Sequence, residues 1–109
     1  MTLAPFPGGP DLRVGTVVAA RMNAAARKPA LVLEIDFGPL GRRTSSAQIA
    51  ALYTPETLVG RQVVAVVNLP PRRVAGVVSE VLVLAAVDPA AGTVLLAPER
   101  RVADGTPVA

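Results

Sequence analysis

Eight of the eleven basic residues stand in four adjacent pairs: Arg27-Lys28, Arg42-Arg43, Arg72-Arg73 and Arg100-Arg101. An arginine presents a planar fork of donors that matches phosphate or carboxylate, so paired cations of this kind can neutralise an anionic polymer. Solvated turn tips are the plainer account of each pair taken alone. The third pair sits in the most unusual stretch of the chain, Asn68-Leu69-Pro70-Pro71-Arg72-Arg73-Val74-Ala75-Gly76-Val77-Val78-Ser79-Glu80, between the apolar runs Val63 to Val67 and Val81 to Val87. Two prolines remove backbone donors and fix their own angles, and Gly76 permits a turn. The stretch therefore reads as a stiff loop, neither strand nor helix, that presents charge from a firm scaffold. At its start, Asn68 can donate to and accept from a base edge or a peptide backbone, or simply form the turn before Leu-Pro-Pro. At its end, Ser79 and Glu80 point to opposite faces, so that one meets ligand while the other holds the loop. A salt bridge from Glu80 to Arg72 or Arg73 is the alternative use of that carboxylate.

Several chemistries are excluded by composition. The chain has no Cys and no His, which removes structural zinc, disulfides, thiolate nucleophiles and serine–histidine catalysis. The acids Glu34, Asp36 and Glu80 belong to no catalytic motif, and no glycine-rich phosphate loop appears. The sequence thus predicts a binding protein, with no catalytic residue, cofactor or metal. The first residues carry neither a basic start nor an apolar core, and the longest apolar run is too short to cross a bilayer. A cytoplasmic protein without membrane insertion is expected. Only Phe6, Phe37 and Tyr53 are aromatic, so stacking on bases is scarce, and any RNA would be held by shape and phosphate contact.

The elements that must position these residues follow from periodicity. At 109 residues the chain makes one domain, and its surplus of valine favours pleated sheet. Residues 1–10, rich in Pro and Gly, are expected to be irregular, with the domain spanning 11–109. Strands are expected at Leu12 to Met22, with a bulge or bend at Gly15, and at Ala30 to Phe37, where Leu31, Leu33, Ile35 and Phe37 face the core. Arg42 to Ile49 is a third strand, Arg61 to Asn68 a fourth buried on both faces, and Ser79 to Val87 a fifth. Thr54-Pro55 and Gly60 bracket a short helix. Asp88 to Gly92 turns the chain into a last hairpin, and Asp104-Gly105 makes a further turn.

This order predicts an all-β fold: a five-stranded OB-fold Greek-key barrel, a short helix between strands 3 and 4, and a C-terminal hairpin extension. In that fold oligonucleotides are bound by the strand 2–3 face and the loops joining strands 1–2 and 4–5. Arg27 and Lys28 fall in the first of those loops, Arg72 and Arg73 in the second, and Arg42 and Arg43 open strand 3. Arg100 and Arg101 lie outside the groove and read as solvated surface.

The segments Asp11-Leu12-Arg13-Val14-Gly15-Thr16-Val17, Tyr53 to Arg61 and Asn68 to Glu80 resemble the tRNA-binding domain family, a module appended to some aminoacyl-tRNA synthetases. Ala26 to Leu31, Ile35 to Pro39 and Thr44 to Ile49 resemble its CsaA-type branch, small bacterial proteins linked to protein export. The resemblance runs from about Asp11 to the C-terminus. It implies a homodimeric OB-fold protein that binds tRNA or other structured RNA and acts as an export chaperone, with unfolded preproteins and the export machinery as partners. A chaperone that binds only peptides or preproteins is the alternative it leaves open. One departure matters: the appended modules carry Ser-x-Gly-Met where this chain has Ser79-Glu80-Val81-Leu82, and an unpaired Glu80 would oppose phosphate. The apolar surplus beyond one barrel also predicts a homodimer.

Overall fold

A computed structural model describes residues 8–109; the expectation of an irregular start at residues 1–7 lies outside the described residues. Five strands form one antiparallel sheet: β1 (Leu12–Met22), β2 (Leu31–Asp36), β3 (Arg42–Ala47), β4 (Gln62–Val66) and β7 (Leu82–Val83). Their spatial order is β3-β2-β1-β4-β7, and the sheet curls into a nearly closed barrel. Two hairpins stand off it, β5 (Arg72–Val74) with β6 (Val77–Ser79), and β8 (Ala85–Asp88) with β9 (Gly92–Leu95). Helix α1 (Pro55–Leu58) joins β3 to β4.

Alternation along β2 builds the core. Leu31, Leu33, Ile35 and the following Phe37 are fully buried, together with Val17, Leu58, Val63 and Ala65. Gly15 does not bend β1; it makes room. A Cβ there would lie 2.6 Å from the Ile35 side chain and 2.8 Å from the Phe37 ring. The bulge of β1 falls instead between Val17 and Ala19, where its pairing with β2 slips by one residue. β4 is buried on both faces because its outer face lies under the chain's end, where Gln62 donates to Val102 O at 2.7 Å and accepts from Val102 N at 3.1 Å. Thr54 caps α1 in a reciprocal pair with Thr57, as the Thr-Pro start requires.

Besides the bend expected at Gly15, two expectations need correction. The Asn68–Glu80 stretch is not free of strand: after the two prolines, Arg72 pairs with Ser79, Arg73 with Val78 and Val74 with Val77. Pro70 and Pro71 stop pairing only at their own positions. Ala75 (φ 46°) and Gly76 (φ 82°) supply a two-residue turn with both angles positive, whose twist suits a hairpin. The expected fifth strand, Ser79 to Val87, is also not continuous. Ser79 belongs to β6, the strand is interrupted at Glu80 and Val81, and it breaks again at Leu84, whose N–H donates to Val64 O; β7 pairs with β4, while β8 turns away to pair with β9.

Closure of the barrel depends on side chains. The outer edge of β3 meets the end of β6, where the Glu80 N–H donates to Thr44 O at 2.8 Å. The Thr44 N–H donates back to Glu80 Oε1 at 3.1 Å, and the Ser46 N–H to Ser79 Oγ at 3.0 Å. Replacing Glu80 by Ala leaves the Thr44 donor without its partner, at a cost of about 1–2 kcal/mol. Glu80→Gln, which keeps an acceptor, should cost less; equal losses in denaturant melts would sink this account. Ser45 offers the opposite test. Its hydroxyl is fully buried with no hydrogen-bond partner among the described residues. Ser45→Ala should therefore stabilise the fold by up to about 1 kcal/mol, or about 4 °C in Tm.

Candidate functional site

The basic pairs do not converge as a single cluster. The β1–β2 loop and the β5–β6 hairpin form two walls of an open groove of about 500 Å³, with Arg27 and Lys28 on one wall and Arg72 on the other. Ser46 and Gln48, outward residues of β3 and the chain beyond it, lie between them. Arg27, Lys28 and Arg72 are exposed and form no ion pair among the described residues, and no acid lines the groove. Three unpaired cations over a polar floor leave this groove net positive.

Asn23 links these walls, and no local pattern in the sequence marks it. Buried at the root of the β1–β2 loop, it accepts from Ala25 N through Oδ1 at 3.1 Å. Its amide donates across to Ala75 O, at the tip of the hairpin, at 3.5 Å. Asn is common in turns, so only the contact between two loops distant in sequence distinguishes it.

The other expected site residues take different places. Arg73 follows Arg72 in a strand and so projects to the opposite face of the hairpin. Arg42 and Arg43 pair with Asp36 and Ile35 at the far end of β3, about 10–13 Å from Ser46 and about 17–20 Å from Gln48 at strand rise. They do not line the groove. Asn68 spends its side chain on the chain itself: Oδ1 accepts from Asp11 N at 2.8 Å and Nδ2 donates to Gly9 O at 2.9 Å. Ser79 and Glu80 both bind β3, as described, and Glu80 forms no ion pair with Arg72 or Arg73 among the described residues. Arg101 is not merely solvated, because its guanidinium donates to Gly60 O and to Thr16 Oγ1, each at 3.1 Å.

Beside the groove, and sharing Ser46, Arg72 and Val74 with it, lies a largely apolar notch of about 130 Å³ bordered by Leu69, Pro70, Val81 and Leu82, with Ser79 and Glu80 at its edge. No aromatic ring lines either space. Phe37 is in the core, and the Tyr53 hydroxyl accepts from Leu95 N at 3.0 Å while its ring faces Arg61.

The chain is similar in sequence and fold to known proteins. A family model described as "Putative tRNA binding domain" matches residues 12–107. A methionine–tRNA ligase of Methanothrix thermoacetophila is 46% identical over 95 residues, 87% of this chain and 14% of the ligase. The ligase of Methanococcoides burtonii is 38% identical over 96 residues, again 14% of its length. The chain thus spans about a seventh of the curated ligases it matches, the part similar to the binding domain. Among solved structures, the chaperone CsaA of Bacillus anthracis superposes with a TM-score of 0.89 at 51% identity, covering 100% of this chain and 99% of that one. The CsaA chaperone protein of Picrophilus torridus gives 0.87 at 37%, covering each chain completely. A barrel of this topology, a match across 12–107 and likeness to both structures along their full length lead to one assignment: the chain belongs to the tRNA-binding domain family, in its CsaA-type branch.

Proposed function

We propose that this protein binds tRNA or a similarly structured RNA in the groove between the β1–β2 loop and the β5–β6 hairpin, as a binding protein with no catalytic step. The observation that carries this reading is the placement of Arg27, Lys28 and Arg72, unpaired, around a groove that no carboxylate lines. Arg27, Lys28 and Arg72 contact phosphates, and Ser46 and Gln48 hydrogen-bond sugar or base edges. Arg73, Arg42 and Arg43 add longer-range attraction from other faces. Ser79 and Glu80 act by holding the hairpin to β3, and Asn68 by tying the chain before the prolines to Asp11 and Gly9. Such a ligand places the work of the protein in the cytoplasm.

Recognition of this kind is salt-dependent. Three phosphate contacts alone should weaken tRNA binding roughly 30-fold between about 50 and about 200 mM salt. An Arg27→Gln, Lys28→Gln, Arg72→Gln triple variant should lower the slope of log affinity against log salt by about two to three. Salt-insensitive binding, or none, would overturn the reading.

A second reading, a chaperone for unfolded preproteins delivered to the export machinery, is favoured by the notch. It has room for one apolar side chain, with Arg72 and Glu80 both at its border, which suits an extended peptide. Because Arg72 borders both spaces, an unfolded preprotein should displace tRNA in the same titration. Displacement without any affinity for tRNA would favour a purely peptide-binding chaperone.

We also propose a homodimer. Val87 is 79% exposed and Leu82 50%, beside a depression bordered by Ile49, Leu84 and Ala85. An apolar strip of this kind is stable when a second copy covers it. Sedimentation at micromolar concentration should show a dimer, and Val87→Asp should shift it toward monomer. A monomeric parent protein would refute this.

A further inference from the structure

On the barrel's other flank, the start of β4 and the segment after β9 enclose an open cleft of about 240 Å³ that contains three arginines, Arg61, Arg100 and Arg101. Each guanidinium is held by a neighbour. Arg101 is fixed by Gly60 O and by the Thr16 hydroxyl, which in turn donates to Asp104 Oδ1 at 2.6 Å. Arg61 lies over the Tyr53 ring, 5.9 Å from its centre. Arg100 is paired with Glu99 at 2.8 Å, both nearly fully exposed.

These contacts orient the cations without neutralising two of them. Arg101 meets only neutral acceptors and Arg61 a ring face, and neither forms an ion pair among the described residues. A guanidinium has five N–H donors, so Arg101 keeps three for a ligand. The exposed Arg100–Glu99 pair is weak and easily exchanged for a stronger anion. Oriented forks lose little entropy when they bind a phosphate oxygen.

The geometry points to this cleft as a second phosphate-binding surface for the RNA backbone, separate from the groove. Its root at Thr16 and the groove's root at Asn23 are joined by one strand, β1, and lie about 20 Å apart at strand rise. A mononucleotide is too short to reach both; a folded RNA is not. The cleft has no aromatic face free for a base, which fits backbone contact rather than a nucleotide pocket. This inference rests on RNA binding at the groove and extends it to the ligand's size.

The test is a tRNA titration over a series of salt concentrations, with the full chain. Arg61→Gln, Arg100→Gln together should lower the salt slope by about 2 and the affinity about tenfold near 0.1 M salt, with an unchanged melting temperature. Arg101→Gln should act in the same direction, and Glu99→Gln in the opposite one. Arg21→Gln serves as the control, since it removes a charge from the outer face of β1. An unchanged slope in the double variant overturns the cleft while leaving the groove intact. A loss per charge from Arg21→Gln equal to that from the cleft variants also overturns it, since the effect would then be diffuse. No binding by the parent protein overturns cleft and groove together.

Discussion

The groove between the β1–β2 loop and the β5–β6 hairpin depends on how the free edge of β3 is satisfied. A five-stranded sheet curled this far brings β3 against the end of β6, but there the chain is already leaving one hairpin for β7. It cannot offer a full backbone ladder. The Ser79 hydroxyl and the Glu80 carboxylate substitute for the missing carbonyls, accepting from Ser46 and Thr44. An edge left open would be both unsatisfied and prone to pairing with other chains. The same two bonds fasten the hairpin's base to the strand that floors the groove. Stability and site geometry thus share one device, and Asn23 completes it at the hairpin's tip.

That device also explains how a carboxylate can sit at the rim of a basic groove. One Glu80 oxygen is committed to Thr44, on the notch side of Arg72 rather than the side facing Arg27 and Lys28. Its charge therefore borders the apolar notch more than the groove. The division gives Arg72 two neighbourhoods, one basic and one apolar.

Much of the fold was legible because short-range rules govern it. Alternation in Leu31, Leu33, Ile35 and Phe37 fixes a core face, since a one-residue slip would turn every side chain to solvent. The continuous apolar run in β4 signalled burial on both faces, and Thr54-Pro55 announced a helix start. The errors came where partners distant in the chain decide the outcome. Gly15 reads as a bend, but it is a gap for a ring that arrives 22 positions later. Two prolines read as a loop, yet three pairs of residues beyond them were free to form a ladder. The break at Leu84 follows from its bond to Val64 and has no local mark.

Of the site, residue types alone determined that charge is presented in pairs, that aromatic rings are scarce and the Cys and His of zinc or thiol chemistry are missing, and that the stretch around Arg72 is stiffened by two prolines. Pairing in sequence does not determine pairing in space. A strand sends neighbours to opposite faces, which splits Arg72 from Arg73, and strand length carries Arg42 and Arg43 away from the groove. Folding likewise spends Asn68, Ser79 and Glu80 on backbone groups that would otherwise lack partners. The sequence by itself settled which charges exist; only the tertiary structure decided which remain free, because hydrogen bonds across the barrel claim some polar groups and leave others to a ligand.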